Sequence, residues 1–189
     1  MEKATKSVLC VFMLLTYLSG TAAATFVPVM SLFLTDFVKA NSVQVGVYFT
    51  TAAVVGIIVT QLFAKFSDKN TSRKFLVVLA AIFGMFVALI FVLIPNYYVI
   101  ITAGVFCLSV SCVATPQIFA SGREYSILHY GNSVMFTTYM RSFFALAWVI
   151  APPIAYLVAN SYGFQTLFIA TAVIFAISSL IALQKLYYP

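Results

Sequence analysis

Hydrophobic positions in this chain come in long blocks with few charges inside them. Polar residues are gathered into short connections between the blocks. Six apolar runs stand out, over about residues 7–34, 43–64, 75–94, 97–120, 133–159 and 164–183. A membrane-crossing helix needs about 20 such residues at about 1.5 Å each, so every run is long enough to cross a bilayer. Pro28 predicts a bend near the far end of the first run, and Pro95-Asn96 closes the third. Asn160 to Gly163 predicts a tight turn between the fifth and sixth runs. The stretch from Gly122 to Asn132 reads as a polar connection.

The pattern predicts an all-α membrane protein made of one six-span domain over residues 1–189. Composition agrees, with 63% hydrophobic and 7% charged residues, a balance no soluble domain needs. The first run begins like a signal peptide, with Lys3 and Lys6, then VLCVFMLL, then small residues at 21–24. Its apolar character continues through residue 34, which favours a retained first span. The net charge of +6 is not a nucleic-acid signal, because the basic residues lie in the short connections. With six spans, Lys3, Lys6, Lys65, Lys69, Arg73, Lys74, Arg123 and Lys185 share one side and Lys39 alone lies on the other. The positive-inside rule then makes both termini cytoplasmic.

The fifth run carries more than an anchor needs. Arg141 places a fixed charge inside it, and intramembrane charges are usually functional. Ala147, Ala151 and Ala155 recur every four residues as a smooth strip for a neighbouring backbone. Pro152 and Pro153 disturb the helix beyond them. On the second run, Gly46, Thr50, Ala53, Gly56 and Thr60 mark another small-residue face. Cys10, Cys107 and Cys112 all fall in apolar runs, which argues against a disulfide framework and offers no metal-ligand spacing. No phosphate-binding loop or nucleophile–base pairing is evident, and the one histidine, His129, falls in a connection where solvation is the ordinary reading. The expectation is therefore no enzyme, no catalytic residue, no cofactor and no metal.

Pro28 is followed eight residues later by Asp36, and Pro116 eight residues later by Glu124. Such an echo between three-span groups suits the inverted three-plus-three repeats of transporter halves. The connection after the second run resembles the signature of the major facilitator superfamily, Gly-x-x-x-Asp-Arg-x-Gly-Arg-Arg/Lys. Ala64 stands in the glycine place, Asp68-Lys69 match, and Arg73-Lys74 match after one extra residue, with Thr71 or Ser72 replacing the second glycine. Ala147-x-x-x-Ala151-Pro152-Pro153-x-Ala155 resembles the fifth-span signature of antiporters, with alanine for each glycine. PQIFASGREYS (116–126) and VMFTTYMRSFFALAWVIAPPIAYLVANSYGF (134–164) resemble the bacterial sugar efflux transporters.

That resemblance implies one six-span half of a two-half carrier in a bacterial inner membrane, exporting sugars or glycosides in exchange for protons. A second six-span half would come from downstream, in trans, or from a second copy. Drug or amino-acid export by the same fold, or a truncated, non-transporting six-span protein, are the competing readings. Arg141 is then a donor fork for sugar hydroxyls, a sensor of a proton-carrying carboxylate, or a structural partner of Glu124. Trp148 stacks on a sugar face or packs against its neighbours. Tyr17, Thr21, Gln61 and Gln117 face a cavity or bond between helices. Asp68, Lys69, Arg73, Lys74, Arg123 and Glu124 are candidates for a cytoplasmic gate, in which Asp68, Arg73 and Lys74 pair with Glu124 or Arg123, or else the basic residues serve orientation alone.

Overall fold

The computed structural model describes the backbone of residues 2–68, 72–130 and 134–186, and the side chains of residues 8–66, 72–129 and 134–186. The described residues are almost wholly helical. The elements are α1 (Glu2–Leu32), α2 (Ser42–Asp68), α3 (Arg73–Leu93), α4 (Tyr97–Val99), α5 (Val105–Ser111), α6 (Ala114–Tyr130) and α7 (Val134–Lys185). π-helical segments continue α1 over Phe33–Phe37 and join α4 to α5 over Ile100–Gly104. Five helical runs among the described residues are long and apolar enough to cross a membrane, where six were expected.

The difference lies in α7. Helical dihedrals persist through Asn160, Ser161 and Tyr162, and only Gly163 leaves them, at φ 85° and ψ 162°. The single residue is enough to reverse the chain. Gly20 of α1 lies against Ala147, while Phe26, only six residues further along α1, packs on Phe168. A straight helix would separate Ala147 from Phe168 by about 30 Å, against about 9 Å between their partners. So α7 is two antiparallel arms hinged at Gly163.

Two other boundaries differ from expectation. The stretch expected as a connection from Gly122 is helical through Tyr130, because it carries no breaker before Gly131. The fourth run is instead broken at Cys112 and Val113. Pro116 explains the break: it lacks an N–H, and its ring would collide with the carbonyl four residues back, that of Cys112. Pro28, Pro152 and Pro153 all lie inside continuing helices.

Apolar packing is concentrated at the two ends. At one end Phe12, Leu15, Val77, Ile118, Tyr125, Phe136, Met140 and Leu186 form a cluster with Ala182. This is the end that carries Lys65, Arg73, Arg123 and Lys185. At the other, Phe26, Phe33, Phe91, Phe168 and Phe175 interlock, with Phe33 and Phe168 edge to face at 4.8 Å. Such aromatic pairs add to the packing on which helix association in lipid depends.

The two small-residue strips have different fates. Ala147, Ala151 and Ala155 are all buried, and the partner is α1 of the same chain. A Cβ on Gly20 would stand 2.9 Å from Ala147 Cβ and 3.2 Å from the Phe144 carbonyl oxygen, so only glycine lets the helices approach this closely. On α2 the expected face divides: Gly46, Thr50 and Ala53 are exposed, in line with Ile57 and Gln61, whereas Gly56 and Thr60 are half-buried and a Cβ on Gly56 would stand 4.0 Å from Ser109 Oγ.

Candidate functional site

Arg73 opens α3 directly after Ser72, whose hydroxyl caps the helix by accepting from the Phe75 N–H at 3.5 Å. A cation at a helix N-terminus faces the positive end of the helix dipole, so a nearby carboxylate is favoured there. Glu124 of α6 fills that place. Arg73 donates through Nε to Glu124 Oε2 at 3.0 Å and through Nη2 to Oε1 at 2.6 Å. Its Nη1 donates to Gln117 Oε1 at 3.2 Å. Gln117 and Glu124 are seven residues apart, two helical turns, and so present their acceptors on one face. The planar guanidinium matches this arrangement, which an ammonium does not. Gln117 is buried, and Arg73 and Glu124 are partly exposed at the edge of the basic end.

Of the six gate candidates, the structure brings together Arg73 and Glu124. Lys74 is half-buried and neither Lys74 nor Arg123 has an ion-pair partner among the described residues. The Asp68 side chain and Lys69 lie outside the described residues. Arg141 does not meet Glu124, whose two oxygens face Arg73. It lines an open cleft of about 860 Å³ between α6 and α7, with Phe119, Ala120, Arg123, Thr137, Thr138 and Phe144.

The remaining candidates are dispersed. Trp148 is exposed and lies 6.4 Å from Phe144, ring to ring. Tyr17 lines a shallow apolar groove with Leu14 and Phe143. The Thr21 hydroxyl donates to the Tyr17 carbonyl of its own helix at 2.9 Å. Gln61 is exposed on the open line of α2. His129 is exposed, yet its ring stacks on Tyr125 at 4.1 Å and its Nδ1 lies 3.0 Å from the Tyr125 carbonyl oxygen.

A polar seam between α1 and α6 escaped the sequence reading. Ser19 Oγ and Thr115 Oγ1 share a hydrogen bond at 2.6 Å. They border a small cavity of about 120 Å³ with Phe26, Leu108, Ser111 and Cys112. Its visible signal was Thr115 directly before Pro116, a polar residue where the fourth run is broken. Tyr48 of α2 is buried nearby, with no hydrogen-bond partner for its hydroxyl among the described residues. Tyr156 of α7 donates to the Pro28 carbonyl at 2.7 Å, tying the first arm of α7 to the proline of α1.

Residues 12–189 match the sequence profile of the Major Facilitator Superfamily. Sugar efflux transporter C of Escherichia coli is 38% identical over 170 residues, which is 90% of this chain and 43% of that protein. Sugar efflux transporter B of Salmonella typhimurium is 40% identical over 166 residues, 88% of this chain and 42% of that protein. Sugar efflux transporter A of Escherichia coli is 37% identical over 178 residues, 94% of this chain and 45% of that protein. The chain thus spans less than half the length of these relatives. A profile match over nearly the whole chain, on a bundle of long apolar helices, settles the family: this chain belongs to the Major Facilitator Superfamily.

Proposed function

We propose that this chain is the six-span half of a sugar exporter, acting with a second half to move sugars or glycosides outward in exchange for protons. The observation that carries the reading is the 35–40% identity, over most of this chain, to several proteins named as sugar efflux transporters. Counting the two arms of α7 separately makes six crossings, arranged as three plus three in a bacterial inner membrane. The bias of basic residues puts both termini in the cytoplasm. The work is carriage across a bilayer rather than bond-making chemistry, so no residue is assigned a catalytic role.

In this reading Arg73, Glu124 and Gln117 form a cytoplasmic lock that ties the start of α3 to α6. The decisive measurement is efflux of labelled sugars from cells carrying the chain with a complementary six-span half. Faster, gradient-dependent loss of a sugar than in cells with an empty membrane background supports the reading. Loss of drugs or amino acids alone would replace the substrate, and no flux of any of them would remove the transport assignment.

A further inference from the structure

Arg123 and Arg141 line the same cleft, from α6 and α7 respectively. Both are exposed, and neither guanidinium has a hydrogen-bond or ion-pair partner among the described residues. The nearest acidic residue in sequence, Glu124, has both oxygens on Arg73. Two like charges therefore share one concavity without a counter-charge among the described residues, an arrangement that repels itself until an anion enters. The hydroxyls of Thr137 and Thr138 donate to the Val134 carbonyl at 3.1 and 2.8 Å, so the guanidinium groups are the strong donors on this wall. Phe119 and Phe144 meet edge to face at 6.1 Å and give the cleft an apolar side.

We propose that this cleft binds a phosphate-type oxyanion, a phosphomonoester or phosphodiester, held between Arg123 and Arg141. Two planar forks supply more charge and more directed donors than one carboxylate can absorb, whereas a phosphate group offers several oxygens to both. Arg123 is seven residues before Tyr130, and Arg141 seven residues after Val134. Each is thus about 10 Å along its helix from the end nearest the connection between α6 and α7. The same chemistry serves a phospholipid headgroup or a soluble phosphate entering from the cytoplasm. The site is independent of the sugar assignment, since it requires binding only.

The test uses the chain purified in a phosphate-free maltoside detergent, with thermal unfolding and native mass spectrometry as readouts. The probes are inorganic phosphate, phosphatidylglycerol, and acetate at matched ionic strength. Phosphate or phosphatidylglycerol should raise the unfolding midpoint and acetate should not. Arg123→Gln and Arg141→Gln should each weaken the response by roughly tenfold or more, as expected for loss of a charge-assisted fork. Lys185→Gln, which removes the same charge elsewhere at the basic end, should leave it intact. Retention of phosphatidylglycerol at near-equimolar amounts would identify a lipid site, and a response to inorganic phosphate alone a soluble ligand. Equal responses to acetate, no response to either phosphate probe, or a response unchanged in both arginine variants would overturn the proposal. The wild-type comparison of phosphate with acetate stands even if a variant fails to fold.

Discussion

Arg73 grips Glu124 through two parallel hydrogen bonds, although 51 residues separate them. The pair joins the first residue of α3 to the face of α6 that also carries Gln117. Removing either partner leaves the other half-exposed, so the cost to stability should be modest, about 1–2 kcal/mol. Arg73→Lys keeps the charge and loses the fork. It should destabilise the chain in thermal unfolding nearly as much as Arg73→Ala does. Full stability in Arg73→Lys would show that the fork geometry is immaterial.

Gly20 is where α1 and the first arm of α7 come closest. Gly20→Ala would press a methyl against Ala147 and the Phe144 carbonyl, costing about 1–3 kcal/mol as overpacking does. Ala147→Gly should restore part of that loss, because it removes the nearest atom. Unfolding measurements on the two single variants and the double variant make the comparison. Additive losses would mean the two residues do not meet.

Gly163 carries the reversal of α7 at φ 85° and ψ 162°, a region almost reserved for glycine. Gly163→Ala should cost about 1–3 kcal/mol even though nothing lies within 4 Å of an added Cβ. Its effect would come from the backbone alone. Equal stability of Gly163→Ala and the parent chain would contradict the hinge.

Orientation has a direct chemical readout. In a background lacking Cys10, Cys107 and Cys112, cysteine at Asn96 or Ser161 should react with an impermeant reagent from outside the cell. Cysteine at Lys65 or His129 should react only after the membrane is opened. This follows from the side shared by eight basic residues. The reverse labelling pattern would invert the topology.

Much of this fold was legible because a membrane demands long apolar runs, and such runs mark themselves. What failed to show were effects that arise between helices. Nothing local distinguishes the alanine strip of α7, which α1 covers, from the small-residue face of α2, where Gly46, Thr50 and Ala53 stay open. Only the meeting of Gly20 with Ala147 decides it. The break at Gly163 falls inside the turn expected over residues 160–163, but a single positive φ makes it and residues 160–162 stay helical. The pairing of Arg73 with a gate partner on the connection after the fourth run was legible down to two choices, Glu124 or Arg123, and the extension of α6 past Gly122 brings Glu124 to it. Ser19 and Thr115 are ordinary hydroxyls within apolar runs. Their pairing depends on the crossing of α1 and α6.

Transport should require a second half, and the open line of α2 is where it should seat. In carriers of this architecture the site lies between two halves, and access alternates as one rocks against the other. This chain supplies one wall. Gly46, Thr50, Ala53 and Gln61 present small and polar groups outward, a surface that suits a packed helix better than lipid. Ala53→Trp should therefore leave the folded chain intact but block association with a complementary half and abolish flux. Ala151→Trp should instead unfold or destabilise the chain by itself, since that strip is already packed inside. Purified residues 1–189 in liposomes with a proton gradient and labelled sugars provide the measurement, with monomer and dimer fractions resolved. Gradient-driven flux that tracks the monomer would refute the two-wall argument. Flux from a dimer that Ala53→Trp disrupts would make this a half-size carrier that pairs with itself through α2.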